Sequence, residues 1–323
     1  MTANQLHPHT HGILEPEIFS TQKGIRAIQW SFLILFATAL FQLLIFLFSG
    51  SIALLSDTIH NIGDAATAIP LWIAFYLGKR GPSERFTYGL GRLEDLAGVV
   101  IVLIIPASAI AAGYESIQRL LQPKPVDHLW LVMVAAVAGF LGNEAVAIFR
   151  IRVGREIGSA ALVADGYHAR ADGFTSLAVF FGALGIGLGY PLADPVAGVL
   201  IAGVILRIGW LSGKAVFARL LDGVDPEIVD EIRHAVTDTE GVQAVSEVRV
   251  RWLGHRLLAE VNIAVPSEFS VEKGHQIANR VRHELLHHLP YLSNATIHVD
   301  PIGTSGEKHH RLANHFPGHF SSP

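Results

Sequence analysis

The sequence predicts a membrane all-α six-helix transmembrane bundle, followed by a small cytoplasmic α+β ferredoxin-like domain. Three observations predict it. Half of the 323 residues are hydrophobic and only 16% are charged, whereas a soluble domain carries about a quarter charged residues. Apolar stretches long enough to cross a hydrocarbon core of about 30 Å recur six times before residue 221. After Leu221 the apolar runs give way to strand alternation and amphipathic helices.

The spans run from about Ile25 to Phe48, Ile52 to Leu77, Leu93 to Leu120, Leu129 to Ile151, Ser159 to Leu188 and Pro195 to Leu220. Basic residues mark alternate junctions: Lys23 and Arg26, then Lys79, Arg80, Arg85 and Arg92, then Arg150, Arg152 and Arg155, then Lys214 and Arg219. The opposite side has only Arg119 and Lys124. Loops rich in Lys and Arg stay on the cytoplasmic side, so both termini are predicted to be cytoplasmic. The N-terminus, MTANQLHPHTHGILEPEIF, lacks the basic start and apolar run of a cleaved signal, which leaves the first span as the insertion signal. Residues 1–24 read as a His-containing tail and 25–221 as the membrane domain.

Residues 222–302 read as the soluble domain. Asp225 is a candidate cap for a helix over Pro226–Thr239, with Pro226 at its first position. Val242–Trp252 and Leu257–Val265 alternate as strands, Val271–Leu289 is an amphipathic helix and Ala295–Val299 a last strand. Helix–strand–strand–helix–strand fits a ferredoxin-like domain. Residues 303–323 are polar, His-rich and predicted to be disordered.

Composition narrows the chemistry. A net charge of −4 without a basic block excludes nucleic acid as a partner. With no cysteine, disulfides and thiolate sites are excluded, so any metal is held by nitrogen and oxygen. Histidine is abundant, at 17 residues, and nothing points to an organic cofactor.

Two spans carry ionisable residues at membrane depth. The second contains Asp57, His60 and Asp64, and the fifth contains Asp165, His168 and Asp172. Both read D-x-x-H-x-x-x-D. On a helix, offsets of −3 and +4 bring both carboxylates within about 60° of the imidazole, so each span presents one polar stripe. A single charge at the bilayer centre costs at least about 2.5–3.5 kcal/mol on insertion scales. Two identical stripes therefore call for a shared purpose. Each histidine lies ten residues from a span end, at Gly50 or Gly158. That is about 15 Å, which brings both to the midplane from opposite faces. Two imidazoles and two carboxylates, His60, Asp64, His168 and Asp172, suit a tetrahedral Zn²⁺. Asp57 and Asp165 are either acceptors that orient the histidines or cap and loop-facing residues. Arg170 projects about 200° from His168, away from the stripe.

The stretches SGSIALLSDTIHNIGDA, RFTYGLGRLEDLAG, SAALVADGYHARADGFTSLAVFFG and LLDGVDPEIVDEI make the chain resemble the cation diffusion facilitators, from the first span to about Pro301. The resemblance implies a homodimer with six spans per subunit and a cytoplasmic metal-sensing domain. It also implies efflux of a divalent transition metal by alternating access coupled to proton entry, in a bacterial inner (plasma) membrane. Carried over by position, His60, Asp64, His168 and Asp172 are the transport site. Histidine at position 60 is similar to zinc-preferring members, with Fe²⁺, Mn²⁺, Co²⁺ or Cd²⁺ as alternative cargo. Imidazoles titrate near neutrality, which suits exchange of protons for metal. Arg92 and Asp222 match positions that form a charged link at the dimer and domain junction.

The resemblance also implies a regulatory Zn²⁺ site in the soluble domain. His275, His298 and Asp300 match it, Glu260 stands where a histidine is common, and Ser246 replaces another ligand. A further family site after the second span is predicted to be absent, because SERFTYGLGR offers only Glu84.

Two rival readings exist. His283-Glu284-Leu285-Leu286-His287 is an H-E-x-x-H, the helical motif of zinc proteases. Its histidines lie opposite the apolar stripe Ile277, Val281, Leu285, and a domain of about 80 residues leaves little room for a cleft. A non-transporting metal sensor would keep the soluble ligands and lose the membrane ones, the reverse of this sequence. His7, His9, His11, His309, His310, His315 and His319 read as solvated tail residues.

Overall fold

The computed structural model describes residues 15–49, 68–122 and 128–303. The membrane domain comprises α1 (Glu15–Ser49), α2 (Ala68–Gly78), α3 (Arg92–Leu121), α4 (Leu129–Ile157), α5 (Ala160–Gly187) and α6 (Ala193–Leu220). The soluble domain follows as α7 (Pro226–Thr237), β1 (Ala244–Leu253), β2 (Arg256–Val265), α8 (Val271–His288) and β3 (Leu292–Pro301). Among the described residues, α1, α3, α4 and α6 are long and apolar enough to cross a bilayer. At 28 residues α5 is comparable in length, about 42 Å, but carries Asp165, Arg170 and Asp172.

Helix α1 begins ten residues before the predicted span and α4 ends six residues after it. Hydropathy marks the part of a helix in hydrocarbon, not its hydrogen-bonded ends. Outside that part the two helices are joined by an ion pair, Lys23 Nζ to Glu156 Oε1 at 2.5 Å. Arg150, which the sequence put at the end of the fourth span and among the junction charges, lies well inside α4, with 1% of its side chain exposed. Gly158, at φ 73, ends α4 in the left-handed conformation, and Ser159 accepts from Leu162 N–H to start α5. Only these two residues separate α4 from α5, which run antiparallel. Gly166 permits their close approach, since a Cβ there would sit 3.0 Å from the backbone nitrogen of Ile151. At the far end of the bundle Arg119 of α3 donates to Asp194 of α6 (3.0 Å) and to Glu115 (2.7 Å).

In the soluble domain Asp225 accepts from Glu227 N–H and Ser270 from Lys273 N–H, capping α7 and α8. The sheet has order β1-β2-β3, with β1 antiparallel and β3 parallel to β2, and α8 crosses between the parallel pair. Strand β3 extends beyond its apolar segment at both ends, because the polar Asn294 and Asp300 continue the pairing with β2 that hydropathy does not mark. Ile277, Val281 and Leu285 form a buried stripe on α8, packed with Ile232, Val236, Val261 and Ile263. Leu285→Ala is expected to lower the opening free energy of the sheet amides by about 2–5 kcal/mol, measured by hydrogen exchange on the purified protein.

Candidate metal centre

On α5 the side chains of Asp165, His168 and Asp172 are all buried, at 0%, 1% and 5% exposure. His168 lies eight residues into the helix and Asp172 twelve, about 12 and 18 Å from its first residue. Both therefore lie in the middle part of the helix, away from its ends. His168 Nδ1 is 3.8 Å from Asp172 Oδ2, which places an imidazole and a carboxylate side by side on one face. Asp57, His60 and Asp64 lie outside the described residues.

Asp165 does not turn to the histidine. Its Oδ2 is 2.9 Å from Arg150 Nη1 of α4, and both side chains are buried. A guanidinium at this depth requires a counter-charge, and Asp165 supplies it. Arg170 faces elsewhere. Its Nε and Nη2 donate to the two oxygens of Glu144 on α4, at 3.1 and 2.6 Å. Neither partner was legible from the sequence. The signal for Arg150 was its place after an apolar run and fifteen residues before Asp165, on the other arm of a tight helical hairpin.

The two domains meet where the turn of the β1–β2 hairpin enters the end of the bundle. His255 is buried, its Nδ1–H donating to Glu94 Oε2 of α3 at 2.7 Å, with Thr21 Oγ1 of α1 3.1 Å from Nε2. Its backbone N–H reaches the same Glu94 oxygen at 3.2 Å. Gly254 N–H donates to Asp95 Oδ2 at 3.1 Å. Phe75 of α2 packs on the imidazole, with ring centroids 5.6 Å apart. Beside the turn, Arg219 of α6 lies 3.9 Å over the Trp252 ring and donates to the Gly158 carbonyl. Arg92 reaches Asp222 at 2.5 Å and Asp95 at 3.5 Å. One hairpin tip thus touches α1, α2, α3, α6 and the α4–α5 turn. In sequence, Glu94 and Asp95 were visible only as part of RLEDLAG, and His255 fell unmarked between the two predicted strands.

The residues matched to a regulatory site are placed separately. His298 Nε2 and Asp300 Oδ1 are 2.9 Å apart at the end of β3. His275 on α8 lies 3.0 Å from Asn279, and Glu260 on β2 is 3.8 Å from Arg251. Ser246 donates to the Asn262 carbonyl. Among the described residues no three His, Asp or Glu side chains gather closely enough to hold an ion. His283 and His287 are exposed on α8, with ring centroids 4.7 Å apart.

A sequence profile of the cation efflux transmembrane domain matches residues 28–221, and one of the cation efflux protein cytoplasmic domain matches residues 224–302. The chain belongs to the cation diffusion facilitator family. A probable cation efflux system protein of Mycobacterium tuberculosis is 51% identical over 297 residues, covering 91% of this chain and 90% of the relative. The magnetosome protein MamB of Magnetospirillum gryphiswaldense is 24% identical over 84% of this chain and 92% of its own length. The manganese efflux system protein MneP of Bacillus subtilis is 25% identical over 77% of this chain and 86% of its own. Cation diffusion facilitators are transporters of divalent metals, not enzymes, so this chain is a multi-pass membrane protein that carries a divalent metal ion. The H-E-x-x-H of α8 is accordingly not a protease centre.

Proposed function

We propose that this cation diffusion facilitator exports Zn²⁺ from the cytoplasm in exchange for protons, by alternating access, with His60, Asp64, His168 and Asp172 as the cargo ligands. The observation that carries the reading is the buried His168–Asp172 pair midway along α5, on a D-x-x-H-x-x-x-D pattern that the second span repeats at the same spacing. Two imidazoles favour zinc over manganese, which prefers oxygen ligands. Without thiolates the site holds the ion weakly enough to let it go. Neutral imidazoles bind metal and protonated ones do not, so a proton arriving from outside displaces the ion and is carried inward.

The protein acts as a homodimer in a plasma membrane, with both termini cytoplasmic. Its bacterial relatives and the matched cytoplasmic domain support that arrangement. Residues 222–302 serve as the dimerising domain, and a weak regulatory metal site forms there only if an ion draws His275 and Glu260 to the His298–Asp300 pair.

A second reading takes Mn²⁺ as the cargo, favoured by the relative named for manganese efflux. Flux into proteoliposomes across a panel of divalent ions separates the two. Zinc is expected to move fastest, with protons moving the other way, and collapse of the pH gradient should stop accumulation. Faster manganese flux would replace zinc, and flux indifferent to the gradient would remove the proton coupling.

A further inference from the structure

A divalent ion in a low-dielectric span responds to every charge nearby, because little solvent screens it. Helix α5 has three charged side chains, Asp165, Arg170 and Asp172. Two of them are neutralised from α4: Arg170 by Glu144, and Asp165 by Arg150 at 2.9 Å. The second pair is the closer to the histidine. Asp165 precedes His168 by three residues, about 4.5 Å along the axis and roughly 60° around it. Arg150 and Asp165 are essentially sealed from solvent, at 1% and 0% exposure, so neither charge is screened by water.

We propose that Arg150 sets the charge of the cargo site. By cancelling Asp165 it leaves the ion facing one carboxylate from α5 instead of two, which holds affinity in the range where the ion both binds and leaves. Bare Asp165 would add a negative charge beside His168, and bare Arg150 a positive one. The pair is therefore neither a metal ligand nor a packing contact alone. This inference rests on the reading in which His168 and Asp172 hold the cargo.

The test is a four-variant series in proteoliposomes, scored as KM and kcat for Zn²⁺ flux. Arg150→Met should lower KM and kcat together, each by about tenfold or more, because the ion is trapped. Asp165→Asn should raise KM by about tenfold or more, because an uncancelled cation repels it. Arg150→Met combined with Asp165→Asn removes both charges and should return KM to within about threefold of the parent, as should the charge-conserving Arg150→Lys. The last two variants keep the test decisive if a lone buried charge prevents folding. Single variants that shift KM in the same direction would overturn the proposal. So would a folded double variant, or a folded Arg150→Lys, whose KM departs tenfold from the parent, since that outcome means geometry and not charge matters. Asp172→Ala runs alongside: if it keeps full flux, the cargo site itself is misplaced, whereas lost flux with no opposed KM shifts refutes only the role of Arg150.

Discussion

Asp172→Ala is expected to cut metal flux at least ~100-fold while the protein still purifies as a folded dimer. The carboxylate is 5% exposed and sits 3.8 Å from the His168 imidazole, so no water replaces it as a charged ligand. Losing an outer hydrogen-bond partner of a metal ligand already costs about 10–100-fold in affinity or activity. In the proposed site Asp172 is a direct ligand and one of two carboxylates, so its loss should cost no less than the upper end. Asp172→Asn separates charge from shape: an amide fits the space, and flux should still fall by about the same factor. His168→Ala should match it, and the two changes together should be little worse than either alone, because ligands of one ion act as a unit. Stopped-flow flux with a zinc-sensitive dye inside the vesicles measures all three. A rate for Asp172→Ala within about threefold of the parent would remove this residue from the pathway.

The features that were legible in the sequence are those for which the surroundings forbid an alternative. Hydrocarbon tolerates few charges, so Asp165, His168 and Asp172 stood out on α5 without any knowledge of their neighbours. Capping left equally plain marks: Asp225 before Pro226 gave the start of α7, and the stripe of Ile277, Val281 and Leu285 gave the buried face of α8. What failed to show is pairing across the chain. Arg150 looked like a charge at the edge of the span because hydropathy falls before the helix does, and its partner was visible only once α4 and α5 closed into a hairpin. Helix α1 began earlier than expected for the same reason, since hydrogen bonding continues past the edge of the apolar run. Glu94 and His255 are 161 positions apart, and neither is unusual for its own segment. Contacts of that kind depend on how two finished domains dock, which local periodicity does not encode.

That docking yields the second large expected effect. Gly254→Val should dislodge the hairpin tip and reduce flux by about 10–100-fold, within the range of coupling energies of about 1–3 kcal/mol. Gly254 adopts φ +63, and a Cβ there would lie 2.7 Å from Glu94 Oε2 and 2.8 Å from the Gly91 carbonyl. A β-branched residue is strained at that angle and has no space, and both faults act at the same point. Once the turn is displaced, Glu94 Oε2 and Asp95 Oδ2 lose the donors that His255 and Gly254 bring to them in a buried setting. Buried carboxylates deprived of partners are costly, so the end of α3 should reorganise instead of keeping its place. The α4–α5 turn feels the same loss through Arg219, which holds the Gly158 carbonyl while stacking on Trp252. Helix α5 starts there, and His168 lies eight residues further on. Hydrogen exchange should speed up at residues 253–256 and at the start of α3 and α5, while the β2–β3 ladder keeps its protection. Gly189→Val is the matched control, because Gly189 has φ +91 but nothing within 4 Å of its added Cβ. It imposes backbone strain without touching the junction and should leave flux within about twofold. Equal losses for the two valines would mean that strain alone, and not the seating of the hairpin, governs transport.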